Sequence, residues 1–246
     1  MSDTMYYEKP ALLNRDQHRQ RRVKPSTGYG FARKANSMFV AGVEFANAGR
    51  EYPIVFSRNA GGGVLPVAML GLRNRENLFI DAQDRWSGAY IPAFVRRYPF
   101  VLAHLPGQSM GVCMDEAYAG FSETEGEALF DAEGKDTPFL QHALEFLRQY
   151  QLEYQRTEAF CKELDQVGLF KEMNAKADLA DGRSFSIHGL LVVDEAKLMA
   201  LPDAQVLALF RSGNLHLVSL HLASLANMQK LVDRLAQRPG PLPVPG

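Results

Sequence analysis

The centre of the fold is predicted by residues Glu51–Leu102, which have the sequence EYPIVFSRNAGGGVLPVAMLGLRNRENLFIDAQDRWSGAYIPAFVRRYPFVL. This stretch contains the densest apolar runs of the chain and its single tryptophan, Trp86. Apolar runs that are separated by glycine and proline turns are typical of strands in a buried sheet. The predicted elements are strands at 52–57, 64–72 and 77–81, a hairpin loop at NAGGG (59–63), and a short helix at 91–98 that starts at Pro92.

The flanking sequence supplies further strands and most of the helices. Thr137-Pro138 predicts an N-cap and a first helical turn, and the apolar residues that follow recur every three or four positions as far as Val167. The other predicted elements are strands at 100–104 and 110–115, a hairpin over 173–193, and helices at 194–201, 202–210 and 215–235. The fold class is therefore α+β, with a mainly antiparallel sheet in the N-terminal half and helices concentrated in the C-terminal half. The sequence leaves open whether the C-terminal hairpin joins that sheet.

Charge, together with the positions of proline and glycine, divides the chain into three predicted segments. Residues 1–36 predict a basic N-terminal arm, residues 37–236 a single α+β domain that is helical from about 137, and residues 237–246 a proline-rich tail. The arm has eight basic residues between Lys9 and Lys34 against one acid, whereas the segment from Asp115 to Asp136 has eight acids and one lysine. We expect the arm to be solvated and to pack on this acidic segment. The alternative is that its basic residues contact phosphate groups or a membrane surface.

Charge and composition also limit the functional classes. The formal net charge is −1, which disfavours a globally basic nucleic-acid-binding protein, and no nucleic-acid partner is expected. No uncharged apolar run reaches the roughly 18 residues of a transmembrane helix, and the N-terminus lacks the apolar core of a secretory signal. Together with two isolated cysteines, Cys113 and Cys161, these features predict a soluble, cytoplasmic protein with reduced thiols. The six histidines lack metal-ligand spacing, so neither a metal nor a cofactor is expected.

Aromatic and guanidinium groups are concentrated in the quoted stretch. Arginines beside aromatic rings suit a pocket for a carboxylate, a phosphate or a polar-ended peptide, because a guanidinium holds an oxyanion through two hydrogen bonds. The candidate ligand-binding residues are Tyr52, Arg73, Trp86, Tyr90, Arg96, Arg97 and Tyr98, with Arg75 beside them. The alternative is a core edge in which the arginines pair with Glu76, Asp81 or Asp84, the more common outcome for arginines that neighbour acids in sequence.

Several phrases of this sequence resemble the SapC family of bacterial proteins. They are EYPIVF (51–56), LGLRNRENLFID (70–81), DRW (84–86), YIPAFVRRYPFVL (90–102), GEALFD (126–131), TPFLQHALEFL (137–147), TEAFCKEL (157–164), GLLVVDEAKL (189–198) and HLASLANMQKL (221–231). The resemblance runs through nearly the whole chain and includes the candidate residues of DRW and RRYPF. It implies an association with surface-layer and peptide-uptake functions.

Two functional classes and a third alternative remain. The first is a binding or accessory protein that recognises a peptide, a saccharide or a partner protein through the aromatic and arginine residues. The second is an enzyme in which Asp81, Glu123 or Glu125 acts with Arg96 or Arg97 on an anionic substrate. The third is an oligomeric scaffold in which the long helix at 137–167 supplies an interface. Ser109 in GQSMG matches the letters of a hydrolase nucleophile motif, but it lies in a predicted strand pair and lacks the helix that the motif requires.

Overall fold

The fold was derived from a computed structural model that describes residues 6–24, 28–103, 110–178 and 184–238. The strands are β1 (Pro10–Leu12), β2 (Arg22–Val23), β3 (Ser37–Phe39), β4 (Ile54–Arg58), β5 (Val64–Met69), β6 (Phe100–Ala103), β7 (Gly111–Asp115), β8 (Phe121–Ser122), β9 (Glu127–Ala128), β10 (Phe170–Asp178) and β11 (Ser184–Val193). The helices are α1 (Phe45–Ala48), α2 (Ala93–Arg96), α3 (Pro138–Gln166), α4 (Glu195–Met199), α5 (Asp203–Ser212), α6 (Asn214–Ser224) and α7 (Met228–Ala236). This arrangement is the predicted α+β class, with the helices mainly in the C-terminal half.

A five-stranded antiparallel sheet in the order β10-β11-β4-β5-β3 forms the centre of the molecule. The predicted hairpin at 59–63 joins β4 to β5, and the Asn59 side-chain oxygen accepts hydrogen bonds from the N–H groups of Gly61 and Gly63. Every residue of β5 is buried, as expected for a central strand. The C-terminal hairpin does join this sheet, because Leu190 and Leu191 of β11 pair with β4.

The basic N-terminal residues are built into two small sheets rather than detached from the fold. Strand β1 pairs with β7 in the order β1-β7-β6, and β2 lies between β8 and β9. The expected attraction to the acidic segment is observed, since Arg15 pairs with Asp136 at 3.8 Å and Lys24 with Glu125 at 2.6 Å. These contacts place β2 beside the first turns of α3, where the candidate site lies.

Helix α3 matches its sequence prediction at both ends. Thr137 caps it by accepting a hydrogen bond from the Leu140 N–H at 3.3 Å, and Pro138 occupies the first turn. Its buried side packs on β5 and β6. In the described part of the chain, no helix is long and apolar enough to span a membrane.

Two predicted elements differ from the structure. Residues 77–81 form a turn-rich segment with one bridge between Ile80 and Trp86, because the Asn77 side-chain oxygen accepts the Phe79 N–H at 2.9 Å inside the segment. The Asp81 side chain then accepts the N–H groups of Gln83 and Arg85 and closes the turn that follows. The predicted helix at 215–235 is interrupted by a 3₁₀ turn, Leu225–Asn227. The predicted turns at 106–107 and 181–182, Ser109, and residues 239–246 of the tail lie outside the described residues.

The interruption at 225–227 coincides with polar contacts between the C-terminal helices and the start of β4. His221 is fully buried, and its Nε2 accepts the Val193 N–H at 3.1 Å while its Nδ1 lies 2.7 Å from the Ile54 carbonyl oxygen. These partners select the neutral imidazole with its proton on Nδ1. Ser224 then accepts the Ile54 N–H at 2.9 Å, and Asn227 donates to the Gly49 carbonyl at 2.7 Å.

Burial lowers the pKa of His221 from 6.5 to about 4, which predicts a pH-dependent loss of stability. Above pH 6.5 the imidazole is neutral in both states. Between pH 6.5 and 4 the unfolded chain binds a proton that the folded chain does not, so the free energy of unfolding falls with falling pH. This group should contribute a loss of about 2–3 kcal/mol between pH 7 and 4.5.

Urea denaturation at both pH values measures this loss. His221→Gln should have a lower free energy of unfolding than the wild type at pH 7, but this free energy should fall less between pH 7 and 4.5. The control His216→Gln, at an exposed position of the same helix, should show the same pH-dependent loss as the wild type. Equal pH-dependent losses in the wild type and His221→Gln would contradict the assignment.

Candidate functional site

A cleft of about 560 Å³ opens between the end of α2, the first turns of α3 and the junction of β2 with β9. Its lining is mostly apolar and carries several cations. The lining residues are Val23, Lys24, Arg96, Arg97, Tyr98, Pro99, Phe100, Tyr118, Gly126, Glu127, Phe139, His142, Ala143 and Phe146. A concave apolar site with a few convergent polar groups is the usual form of a ligand site. We refer to it below as the main cleft.

The structure brings three of the seven candidate residues, Arg96, Arg97 and Tyr98, into the main cleft. Tyr90 lines a smaller adjoining cavity of about 270 Å³, which also has Arg96 and Phe146 in its wall. Arg73 lies elsewhere and pairs with Glu76, three residues along the chain. Arg75 lines a different cavity of about 380 Å³.

Tyr52 and Trp86 form a hydrogen-bonded support behind the site. The Trp86 indole donates to the Tyr52 hydroxyl at 3.0 Å, and this buried hydroxyl donates to the Tyr90 carbonyl oxygen. Burial is the main cause that raises the pKa of Tyr52, so the hydroxyl remains a neutral donor. These two residues therefore fix the backbone that leads into α2.

A buried carboxylate sets the position of α2. Glu44 accepts the Ala93 N–H and the Tyr90 hydroxyl, each at 2.7 Å, and the Ala41 N–H at 2.9 Å. Helix α2 has one turn, which by itself is too short to be stable. The contacts of Glu44 thus hold Arg96 and Arg97 in place at its end.

The two arginines have different environments. Arg97 is 4% exposed, and its guanidinium lies 4.1 Å from the ring centre of Phe94 and 4.8 Å from that of Tyr150. Arg96 is exposed, donates its Nε–H to the Ile91 carbonyl oxygen at 3.0 Å, and lies 5.2 Å from the ring centre of Phe146. Arg96 is therefore the arginine that a ligand can reach, while Arg97 is packed as part of the core.

Tyr98 forms one wall of the main cleft. Its ring stacks on Phe31 with the centres 4.0 Å apart, and it meets Tyr118 edge-on at 5.3 Å. Its hydroxyl donates to the buried carboxylate of Asp115 at 3.1 Å. Burial and the negative charge of Asp115 raise the pKa of Tyr98, so the phenol stays protonated near neutral pH.

The acids that were predicted as alternative catalytic groups lie outside the lining of the main cleft. Hydrogen bonds from Arg85 help to hold the pKa of Asp81 below its usual value, and the ion pair with Lys24 does the same for Glu125. Glu123 is exposed. Within the described ranges, no three His, Cys, Asp or Glu side chains form a group that could hold a metal ion.

Sequence reasoning missed the half of the cleft that α3 and β2 contribute. Phe139, His142 and Phe146 recur at intervals of three and four, which places them on one helix face. The apolar period of the 137–167 helix predicts that Phe139 and Phe146 are core residues, and the spacing of the histidines gives His142 no role. The sequence feature that could have indicated this part of the cleft is His142 itself, a histidine within an apolar stripe near a helix N-terminus.

The packing of Arg97 predicts that Arg97→Ala destabilises the protein, because the change removes two desolvated cation–π contacts and leaves a hole between the rings. The expected loss of unfolding free energy is about 2–4 kcal/mol in urea denaturation. The control Arg148→Ala removes an exposed pair with Glu145 and should change stability by less than about 0.5 kcal/mol. A stability loss for Arg97→Ala as small as that of the control would mean that the core does not depend on Arg97.

Comparison with known proteins gives a family. No curated protein matches the chain at a significant level, and neither does any solved structure. A family model described as SapC matches residues 13–231 of the 246, a range that contains the whole lining of the main cleft. The chain belongs to the SapC family.

Proposed function

We propose that this SapC-family chain is a binding protein whose main cleft takes a peptide-like ligand with a carboxylate and an apolar side chain. The carboxylate contacts Arg96, and the apolar portion lies on Phe100, Phe139 and Phe146. The observation that carries this proposal is the position of an exposed, oriented guanidinium at the edge of an apolar cleft.

The charge of the lining supports an anionic ligand. Lys24, Arg96 and Arg97 are cationic, whereas Glu127 is the one carboxylate among the described residues that line the cleft. The contact of Arg96 with the Ile91 carbonyl and its position over Phe146 fix the plane of the guanidinium. A guanidinium that is oriented before binding loses less side-chain entropy when it grips a carboxylate.

The apolar lining supports a peptide over a saccharide. Aromatic and aliphatic side chains bury the apolar groups of amino acids efficiently, whereas a saccharide needs many polar partners to replace its water. Recognition is favoured over catalysis because burial and the charge of Asp115 raise the pKa of Tyr98 and keep it neutral. In addition, Asp81 is engaged with Arg85 and Glu125 with Lys24.

Isothermal titration with acetyl-Leu-Phe and with its C-terminal amide tests this proposal. The carboxylate form should bind about tenfold tighter than the amide, since a charge-assisted hydrogen bond contributes about 1.5–3 kcal/mol. Arg96→Ala should remove this preference.

Arg148→Ala serves as the matched control, because it removes an exposed arginine from α3 outside the lining. It should keep the tenfold preference. Equal affinities of the wild type for the acid and the amide, or no binding of either, would overturn the proposal.

A further inference from the structure

Tyr90 connects the exposed Arg96 with the interior of the protein. It lies just before α2, and Arg96 is the last residue of that helix. The Arg96 side chain folds back along the helix, since its Nε–H donates to the carbonyl oxygen of Ile91 at 3.0 Å. Its guanidinium carbon lies 5.9 Å from the centre of the Tyr90 ring, and both residues line the smaller cavity that adjoins the main cleft. The phenol and the guanidinium are therefore neighbours.

A buried carboxylate fixes the Tyr90 phenol. Glu44 is 4% exposed, and its Oε1 accepts both the Tyr90 hydroxyl and the Ala93 N–H at 2.7 Å. Because the carboxylate oxygen is the acceptor of this bond, the phenol proton points to Glu44, and the lone pairs of the phenol oxygen are left for another donor. Tyr90 can therefore donate to Glu44 and accept from a neighbouring cation at the same time.

Arg96 is the cation that acts on this phenol. Burial and the negative charge of Glu44 raise the pKa of Tyr90, whereas the positive charge and a side-chain hydrogen bond of Arg96 lower that pKa. The ring of Phe146 lies 5.2 Å from the guanidinium carbon as well. The Ile91 carbonyl, the Phe146 ring and the Tyr90 phenol thus restrict the guanidinium, although Arg96 is an exposed residue.

The charge of Arg96 is available to a ligand. Within the described ranges, its guanidinium forms no ion pair with a carboxylate. Arg73, Arg85 and Arg148 differ in this respect, because each pairs with an acid three or four residues away. An arginine that is oriented before binding loses less side-chain entropy when it grips an anion. The contacts that restrict Arg96 should therefore raise its affinity for a carboxylate.

We propose that Tyr90 is a positioning residue, whose phenol is fixed by Glu44 and holds the Arg96 guanidinium in the orientation that receives the carboxylate of the ligand. Tyr90 acts through Arg96 and does not touch the ligand. The inference rests on the proposed function, because it concerns the same carboxylate contact. It adds a buried acid and a phenol to the residues on which recognition depends.

Isothermal titration of Tyr90→Phe with acetyl-Leu-Phe and with its C-terminal amide tests this role. The change keeps the ring and removes the hydroxyl. The preference for the acid should fall from about tenfold to about threefold, while the affinity for the amide stays the same, because the hydroxyl affects only the orientation of the guanidinium. The matched control Tyr29→Phe removes a phenol hydroxyl outside the lining of both cavities and should keep the tenfold preference.

A double-mutant cycle shows whether Tyr90 acts through Arg96. In the Arg96→Ala background, Tyr90→Phe should leave the affinity for acetyl-Leu-Phe unchanged, since there is no guanidinium to orient. An equal loss of affinity from Tyr90→Phe in both backgrounds would show that the hydroxyl acts independently of Arg96 and would overturn the positioning role.

Ser224→Ala separates orientation from stability. Tyr90→Phe takes one donor from the buried Glu44, so a lower melting temperature accompanies it. Ser224→Ala also removes a buried hydrogen bond, the one from the Ile54 N–H at 2.9 Å, at a position outside both cavities. It should lower the melting temperature and keep the tenfold preference. A preference that falls with the melting temperature in both variants would overturn the positioning role.

The two proposals fail in different ways. If the wild type prefers the acid and Arg96→Ala removes this preference, but Tyr90→Phe keeps all of it, the positioning role is overturned and the proposed function stands. If the wild type binds the acid and the amide equally, the proposed function is overturned, and the positioning role falls with it.

Discussion

The buried carboxylate of Asp115 is the constraint on which the candidate site depends. It is 0% exposed, and such a group is stable only when hydrogen bonds replace its water. Four donors among the described residues are the N–H groups of Glu8, Lys9 and Ala117 and the hydroxyl of Tyr98. One side chain thereby joins the N-terminal segment, the end of β7 and the Tyr98 wall of the main cleft. Removal of any of these partners would leave a buried negative charge undercompensated.

Asp115 and Glu44 position different parts of the structure around α2. Asp115 fixes the Tyr98 wall, and Glu44 fixes the start of the helix that ends with Arg96 and Arg97. Both acids are buried and hydrogen-bonded to backbone N–H groups, so they act on neighbouring residues rather than on solvent. Arg96 is exposed, and it is the group that we propose contacts a ligand.

Local signals made part of this structure predictable from the sequence. Thr137-Pro138 and the apolar period gave α3 within a residue at each end, and Asn59 with three glycines gave the β4–β5 hairpin. The local cluster Arg96–Tyr98 was recognised because its residues are adjacent in sequence. The segment 77–81 is not the predicted strand, since its apolar pattern does not reveal that the Asn77 side chain captures the Phe79 N–H inside the segment.

The remainder of the site depends on contacts between distant parts of the chain. Asp115 meets Glu8 across 107 positions, and periodicity contains no information about such a pairing. His142 and Phe146 face the cleft because β2 lies beside α3, which follows from strand pairing that the sequence did not specify. The interruption of the last helix likewise depends on Asn227 reaching Gly49, 178 positions away.

The most direct test of the account is a titration of ¹⁵N-labelled protein with Leu-Phe, followed through the backbone amide resonances. The account predicts that the largest shifts occur around the main cleft, at Arg96–Tyr98, at Tyr118 and along 142–146. Shifts confined to α4 and α5, where Met199 and Phe210 are exposed, would contradict it. The absence of any shift at millimolar peptide would contradict it as well.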